Sequence, residues 1–251
     1  MTYKLDNIPL SSFDALPGRS NQAFALEGML DLPKRISSAE HDWGTSIEPF
    51  VQTEDIQLDG RTLTLYAVVK SEKVNAFKSA CVACKVLSFD YDSFNVACRD
   101  EIEVIPVNQY DIVKAKFWQN NFMLKPITVT PSVQGEYMLD NFNLNKDFRI
   151  VIEKSNSPAN TAKRIEVATT EFYIRTNYRG TRETTLNCAM LGSGFADLYN
   201  KMNQFQAVLM QAGTRTLKIK NNVFNLYFKD GITVNIAGEK VLSFTLKAVC
   251  L

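Results

Sequence analysis

The chain has 251 residues, which is long for one domain and sufficient for two. Hydrophobic residues make up 45% and charged residues 22%, a composition typical of a globular protein with a buried core. The net charge of +1 gives no field over the whole molecule that would attract nucleic acid or an anionic membrane.

The first residues, MTYKLDNIPL, contain no apolar run of signal-peptide length. No stretch of about 18 apolar residues follows, so we expect no membrane span and no membrane partner. The five cysteines form an odd set without the spacing of a disulfide framework. We therefore expect a protein that is made in a bacterial cytoplasm and keeps its thiols reduced.

In the first part of the chain, up to Phe117, the sequence predicts strands on either side of one long irregular segment. A short first strand ends at the turn-prone pair Asp6-Asn7, and the irregular segment covers roughly Leu32 to Asp55. Alternating apolar residues predict a strand over Thr62 to Val69. Apolar residues at helical spacing then predict a helix from about Glu72 to Lys85, and two or three strands follow over Leu87 to Phe117.

The rest of the chain repeats this order of elements. Residues 126–136 contain two prolines and a glycine and predict a linker. Alternation predicts a strand over Arg164 to Arg175, and an apolar stripe predicts a helix between an N-cap at Ser193 and an end near Gly213. Three strands are predicted over Thr214 to Val249, with a hairpin turn at Lys229-Asp230-Gly231.

Three short segments recur in the same order in both parts of the chain, which is the signature of an internal duplication. We predict that residues 1–125 (the first half) and 137–251 (the second half) are diverged copies of one domain. The matching segments are Tyr3–Leu10 with Tyr137–Leu144, Arg61–Leu65 with Arg182–Leu186, and Phe94–Val104 with Phe224–Val234. The predicted fold class is mainly β with one flanking helix per domain, an α+β arrangement of two tandem β-sandwich or half-barrel domains.

Residues that could carry catalysis or bind a metal are few. His41 is the single histidine, and its loop lacks a nucleophile elbow. Cys81 and Cys84 lie on the apolar face of the predicted helix, where cysteine behaves as a small hydrophobic residue. No nucleotide-binding or metalloprotease motif occurs. We therefore assign no catalytic residue, no cofactor and no metal site, and expect that the chain is not an enzyme.

The order of these elements resembles a known family. A short opening strand with the pattern Y-x-L-D-N-x-x-L, a strand near Arg61 to Val69, a helix, and an Arg-Asp or Lys-Asp turn in a closing meander resemble the ring-forming domain of phage distal tail proteins. That domain is similar to the tail-tube fold. The loop from His41 to Gly44 also resembles tail proteins of prophages in Bacteroides-type bacteria. The resemblance covers most of both halves.

The resemblance departs from the family at the second half. A distal tail protein has one ring domain followed by a different, carbohydrate-binding-like domain, whereas here the second half looks like the first. Two tube-like domains in one chain are similar to a baseplate hub subunit. A ring could contain six chains that use one domain each, or three chains that use both domains with pseudo-sixfold symmetry.

The resemblance implies a structural part of a phage or prophage tail tip, located in the virion tail and joining the tail tube to host-recognition parts. Its implied partners are copies of itself, the tail tube and a hub or tail-associated protein, and DNA could pass through the lumen without specific binding. The segment from Leu32 to Asp55 is long enough to reach an adjoining subunit, and we expect this segment and the loops before Gly60 and Gly180 to form subunit contacts. The candidate subunit-interface residues are His41, Asp42, Trp43, Gly44, Ile47, Glu48 and Phe50.

A second hypothesis is a duplicated β-sandwich that binds carbohydrate or acts in adhesion. Glycan binding calls for exposed aromatic residues at equivalent positions of both copies. The two tryptophans, Trp43 and Trp118, are not at equivalent positions, which argues against this alternative.

Overall fold

The computed structural model describes residues 1–43, 47–156, 162–168, 173–179 and 182–251, with the backbone only over 162–168, 173–179 and at Arg182. The described chain is mainly β, with antiparallel sheets and few helices, which confirms the predicted class. The strands of the first half are β1 (Tyr3–Leu5), β2 (Ile8–Pro9), β3 (Ala15–Pro17), β4 (Leu26–Glu27), β5 (Glu40–Asp42), β6 (Ile47–Pro49), β7 (Arg61–Lys70), β8 (Val86–Phe89), β9 (Asp92–Asn95), β10 (Ala97–Cys98), β11 (Glu103–Val107) and β12 (Tyr110–Gln119). Those of the second half are β13 (Tyr137–Leu139), β14 (Phe142–Asn143), β15 (Ile150–Asn156), β16 (Ala162–Ala168), β17 (Tyr173–Arg179), β18 (Arg182–Leu191), β19 (Arg215–Ile219), β20 (Asn222–Tyr227), β21 (Val234–Gly238) and β22 (Val241–Cys250). The α-helices are α1 (Val74–Ala83), α2 (Leu144–Phe148) and α3 (Phe195–Leu209).

The central ladder of the first half forms because two long strands alternate between buried and accessible residues. Strand β7 buries every second residue from Arg61 to Val69, and β12 buries every second residue from Asp111 to Gln119. This period of two places one face of both strands in the core. The two strands pair antiparallel over their full length, and α1 packs on the buried side through Phe77.

The two halves have the same strand connectivity. In each, an opening hairpin pairs with the strand that follows the long helix: β1 with β8, and β13 with β19. In each, a long ladder has one strand before that helix and one at the end of the half: β7 with β12, and β18 with β22. Strands β3 and β15 lie on the outer side of the first ladder strand, and β11 and β21 pair with the second ladder strand.

The registers of the two long ladders also agree. Arg61 pairs with Gln119 at one end of the first ladder, and Arg182 pairs with Cys250 at the same end of the second. At the opposite ends, Lys70 pairs with Tyr110 and Leu191 pairs with Val241. The sequence segments that recur therefore occupy the same places in the two halves. Buried side chains from both halves form one hydrophobic cluster.

The structure corrects the prediction of a hairpin at Lys229-Asp230-Gly231. Strands β20 and β21, on either side of this turn, do not pair with each other, because both pair with β22 at different points along it. The turn instead leads into a bridge between Ile232 and Leu32 of the first half. Local sequence shows the turn but not the third strand that both neighbours bind.

Two other regions differ in detail from the predicted elements. Strands β8 to β12 occupy the region where two or three strands were predicted, and four strands instead of three follow α3. The predicted strand from Arg164 to Arg175 falls on the paired strands β16 and β17, and residues 169–172 between them lie outside the described residues. Short strands are missed because alternation over two to five residues is too brief to recognise.

Residues 126–136, predicted as a linker, contain neither helix nor strand. The backbone N–H groups of Thr128 and Val129 donate to the Gln204 side chain on α3, at 2.9 and 2.8 Å. The Ser132 N–H donates to Asp147 on α2 at 3.0 Å. Side chains of the second half therefore hold this segment on their surface. Within the described part of the chain, none of the helices has the length and apolar character needed to span a bilayer.

Candidate functional site: a subunit interface

The predicted interface residues lie on a hairpin that forms its own two-stranded sheet. Strands β5 and β6 pair only with each other within the described residues, with His41 opposite Glu48 and Asp42 opposite Ile47. Trp43, the residue directly after β5, is 63% exposed. Its indole N–H donates to the Glu48 carboxylate at 2.9 Å, and the His41 ring lies edge-on to the indole, 4.3 Å between centroids.

The structure thus brings most of the predicted residues together on one hairpin. His41, Asp42, Trp43 and Glu48 are exposed, whereas Ile47 and Phe50 are half-buried. Gly44 lies outside the described residues. The exposed members form a small aromatic and acidic surface at the tip. Whether this surface contacts another subunit stays a prediction.

The base of the hairpin is fixed to the body of the protein by polar contacts. Arg35 is 7% exposed, and its guanidinium donates to the carbonyl oxygens of Phe50 at 2.5 Å and Asp55 at 3.0 Å. The Gly213 N–H of the second half donates to the Val51 carbonyl at 2.7 Å. The Tyr227 hydroxyl of the second half donates to the Glu40 carboxylate. The hairpin is therefore a part of the first half that the second half holds in place.

The loop before Gly60, also predicted as a contact with other subunits, is engaged within the chain. The Asp59 N–H donates to the Lys34 carbonyl at 2.9 Å, and Leu58 forms a bridge with Arg35. Gly60 lies against the Trp118 ring, where a side chain would collide with it. The loop before Gly180 lies outside the described residues.

A second surface, not recognised from the sequence, is the junction between the halves. First-half residues cover the edge of β21 that does not pair with β22, and they bond to the outward-facing backbone groups of Val234 and Ile236. The Val234 N–H donates to Asp31 at 2.8 Å, and the Val234 carbonyl accepts from the Gln22 amide at 3.3 Å. The Ile236 N–H donates to the Gln22 side chain at 3.3 Å, and the Ile236 carbonyl accepts from the Ala23 N–H at 2.9 Å.

A buried arginine organises the first-half side of this junction. Arg61 is 6% exposed, and it donates to the Asp31 carbonyl at 2.8 Å and to Gln119 at 2.7 Å. Its guanidinium also lies over the rings of Phe94 and Phe122. Burial lowers the pKa of Arg61 and raises the pKa of Asp31. Burial thus disfavours the charged form of each group, and hydrogen bonds with neighbouring residues offset this cost.

The long helix α3 forms the other side of the junction. Its Gln206 amide donates to the Leu30 carbonyl at 2.5 Å, and its Tyr199 hydroxyl donates to Asp92 at 2.7 Å. Phe195 at its N-terminus packs against Phe24, with 4.3 Å between ring centroids. First-half residues therefore cover both the β21 edge and the outer face of α3.

The residues of this junction gave weak signals in the sequence. Asp31 interrupts the apolar run from Met29 to Pro33, and Gln206 interrupts the apolar stripe of α3. A polar residue in a buried run must find a partner, so either could have suggested a buried contact. Neither shows that the partner lies roughly 200 residues away in the chain.

The cysteines that could suggest metal or redox chemistry are buried. Burial raises the pKa of the Cys84 thiol to about 11 and also raises the pKa of the Cys81 thiol. A raised pKa disfavours the thiolate, which is the reactive and metal-binding form. Among the described residues, no group of three or more His, Cys, Asp or Glu side chains is arranged to hold a metal ion.

Comparison of the chain with protein-family models and with curated proteins finds no match. Among solved structures, the chain is similar to the SPP1 Dit (gp 19.1) protein, described as a paradigm of the hub adsorption apparatus in phages that infect Gram-positive bacteria. The two share 14% sequence identity, 98% of each chain is covered, and the TM-score is 0.27.

Proposed function

We propose that this protein is a structural assembly part, without enzymatic activity, that forms a ring in the tail tip of a phage or prophage. In this role it joins the tail tube to distal host-recognition parts and is located in the virion tail. Its partners are copies of itself and the neighbouring tail proteins. DNA passes through the lumen of the ring without specific binding.

The observation that carries this proposal is the junction between the halves. The halves share one strand connectivity, and the junction joins different surfaces of the two: a loop of the first half lies on the β21 edge of the second. Such a contact is heterologous, and heterologous contacts between similar units generate rings when the rotation closes. The sequence resemblance to phage tail proteins supplies the biological setting.

The hairpin of β5 and β6 supports the same role. Its base is fixed by Arg35 and Tyr227, while its tip exposes Trp43 and His41. Aromatic residues are enriched in the contacts of protein interfaces. A rigidly held, exposed aromatic tip therefore suits contact with a neighbouring subunit.

The test is the association state of the purified full-length chain. Native mass spectrometry and negative-stain electron microscopy should show closed rings of three or six chains. Trp43→Ala combined with His41→Ala should reduce ring formation while leaving the unfolding transition unchanged, because both side chains are exposed at the tip. A wild-type chain that stays monomeric at every concentration would refute the ring.

The tail assignment has a separate test. In virions that carry this chain, a gold-labelled antibody against it should bind at the distal end of the tail. Labelling of the capsid, or absence of the chain from virions, would contradict the assignment.

A further inference from the structure

The strand of the first half that corresponds to β21 has an open edge. Strand β11 pairs with β12 as β21 pairs with β22, and Val104 opposite Val113 holds the ladder position that Val234 opposite Phe244 holds in the second half. Pro106 likewise corresponds to Ile236. The two edge strands are therefore equivalent in register as well as in connectivity.

The outward-facing backbone groups of the two strands differ in their partners. Those of Val234 and Ile236 are all bonded by Asp31, Gln22 and Ala23. At β11 the two-residue turn at residues 108–109 makes Val107 and Tyr110 the hydrogen-bonded pair that closes the hairpin. Because bonded and non-bonded pairs alternate along an antiparallel ladder, the backbone groups of Val104 and Pro106 point away from β12. Within the described part of the chain, nothing bonds to the Val104 N–H or to the carbonyls of Val104 and Pro106.

The flank of the open edge is apolar. Ile105 is 49% exposed and Val107 is 45% exposed, both on the outer face of the sheet. The residue that corresponds to Ile105 in the second half is Asn235, which is exposed and polar. Exposed strand edges invite pairing with another chain, and apolar side chains beside such an edge favour a protein partner over water.

We propose that the β11 edge, with Ile105 and Val107, binds the second half of another copy of this chain. The contact repeats between chains the junction that the first half makes on β21 within the chain. First and second halves then alternate around the ring, which corresponds to the three-chain arrangement with pseudo-sixfold symmetry. This inference rests on the proposed function and specifies which surface closes the ring.

The duplication identifies the partner that binds the β11 edge. Within one chain, a first half lies on the β21 edge of a second half, so the corresponding neighbour of a first half is a second half. The chain's own second half cannot bind its β11 edge, since that second half already binds the first half through the β21 side of the junction. Repetition of one heterologous contact between equivalent units requires a second copy of the chain. Pro106 has no N–H, so the intermolecular contact has one donor fewer than the contact at Ile236.

The test uses the full chain with both Ile105→Lys and Val107→Lys. Burying two lysines without partners should weaken association by about a hundredfold or more. Both positions are exposed in the single chain, so the urea midpoint should stay near the wild-type value. The matched control is Leu191→Lys, since Leu191 is 43% exposed and the equivalent ladder residue of the first half is Lys70.

Three outcomes separate the inference from the proposed function. The inference is supported if the wild type forms rings with three times the 28.3 kDa chain mass, and if the double variant loses these rings while the control keeps them. If the double variant forms rings as well as the wild type does, the inference is overturned and the proposed function stands. Rings of six chains, in which each chain contributes one half, have the same consequence. A wild-type chain that never associates overturns both.

Hydrogen exchange gives an independent readout that needs no substitution. Val104 carries the outward N–H of β11, so its amide should exchange quickly in dilute monomer and slowly in the assembled ring. Equal exchange of the Val104 amide in both states would overturn the inference.

Discussion

Asp6 and Asp140 hold the same position in the two halves and accept one equivalent backbone hydrogen bond. Both have a positive φ, 47° and 51°. The Asp6 carboxylate accepts from the Val86 N–H at 2.7 Å, and the Asp140 carboxylate accepts from the Thr216 N–H at 2.8 Å. Each aspartate fastens the opening hairpin of its half to the strand that follows the helix.

Replacing either aspartate should destabilise the protein to a similar degree. Asp6→Ala and Asp140→Ala each remove a charge-assisted acceptor and retain an unfavourable φ, so we expect losses of about 1–3 kcal/mol in the free energy of unfolding. Asn at either position keeps an acceptor and tolerates positive φ, so Asp→Asn should cost less. Urea denaturation of the Ala and Asn variants at both positions measures these losses in the free energy of unfolding. Equal losses for Asn and Ala would show that the hydrogen bond contributes nothing.

Local patterns made the repeated elements predictable. Tyr3 to Leu5 and Tyr137 to Leu139 form matching strands, which were predictable because the segment recurs and the turn-prone Asp-Asn pair follows it in both copies. The helix predicted from about Glu72 to Lys85 lies at a 3₁₀ turn followed by α1, because apolar spacing over three turns identifies a buried face.

Contacts between distant residues were not predictable in this way. Gln22 and Asp31 bind β21 through backbone groups more than 200 residues further along, and side-chain patterns do not encode which edge a polar residue will cover. The same limit explains the wrong hairpin at Lys229 to Gly231. Of the candidate interface, the sequence indicated the loop that contains Trp43, but it showed neither the pairing of β5 with β6, nor the junction, nor the open edge at Val104.

Gln22 should be important for the junction between the halves. Gln22→Ala leaves the Val234 carbonyl and the Ile236 N–H without their side-chain partner, so we expect a loss of about 1–3 kcal/mol in unfolding free energy. Gln134→Ala is the matched control, since Gln134 is exposed in the segment between the halves. Urea denaturation that finds the two variants equally stable would contradict the importance of the side-chain bonds.

Gly28 lies where no other residue fits. Its φ is +83°, and a Cβ atom would collide with the carbonyl oxygen of Thr62 on β7. Gly28→Ala should therefore cost about 2–4 kcal/mol, from left-handed backbone strain together with overpacking. Gly238→Ala is the control, because a Cβ atom there meets nothing within 4 Å. Thermal unfolding should show a clear fall in Tm for the first variant and a small change for the second. Equal Tm values would contradict the steric argument.

Asp92 should make stability depend on pH at the acidic end of the range. Burial alone would raise the pKa of its carboxyl, but hydrogen bonds from Lys125 and Tyr199 outweigh burial and hold the pKa below its usual value. Lys125 lies 2.8 Å from the carboxylate, and the Tyr199 hydroxyl lies 2.7 Å from it. Burial and the hydrogen bond to Asp92 in turn raise the pKa of Tyr199.

The sign of the effect follows from proton linkage. Because the folded pKa of Asp92 lies below the unfolded value of about 3.9, the ionised carboxylate stabilises the folded state above that pH. This stability is lost as the pH falls through the folded pKa. Asp92→Asn should thus cost about 1–2 kcal/mol near pH 7, where the charge-assisted bonds are complete, and progressively less in acid. Urea denaturation of both proteins between pH 7 and pH 3 tests this. A difference that stays constant with pH would mean that the charge of Asp92 does not stabilise the contact between the halves.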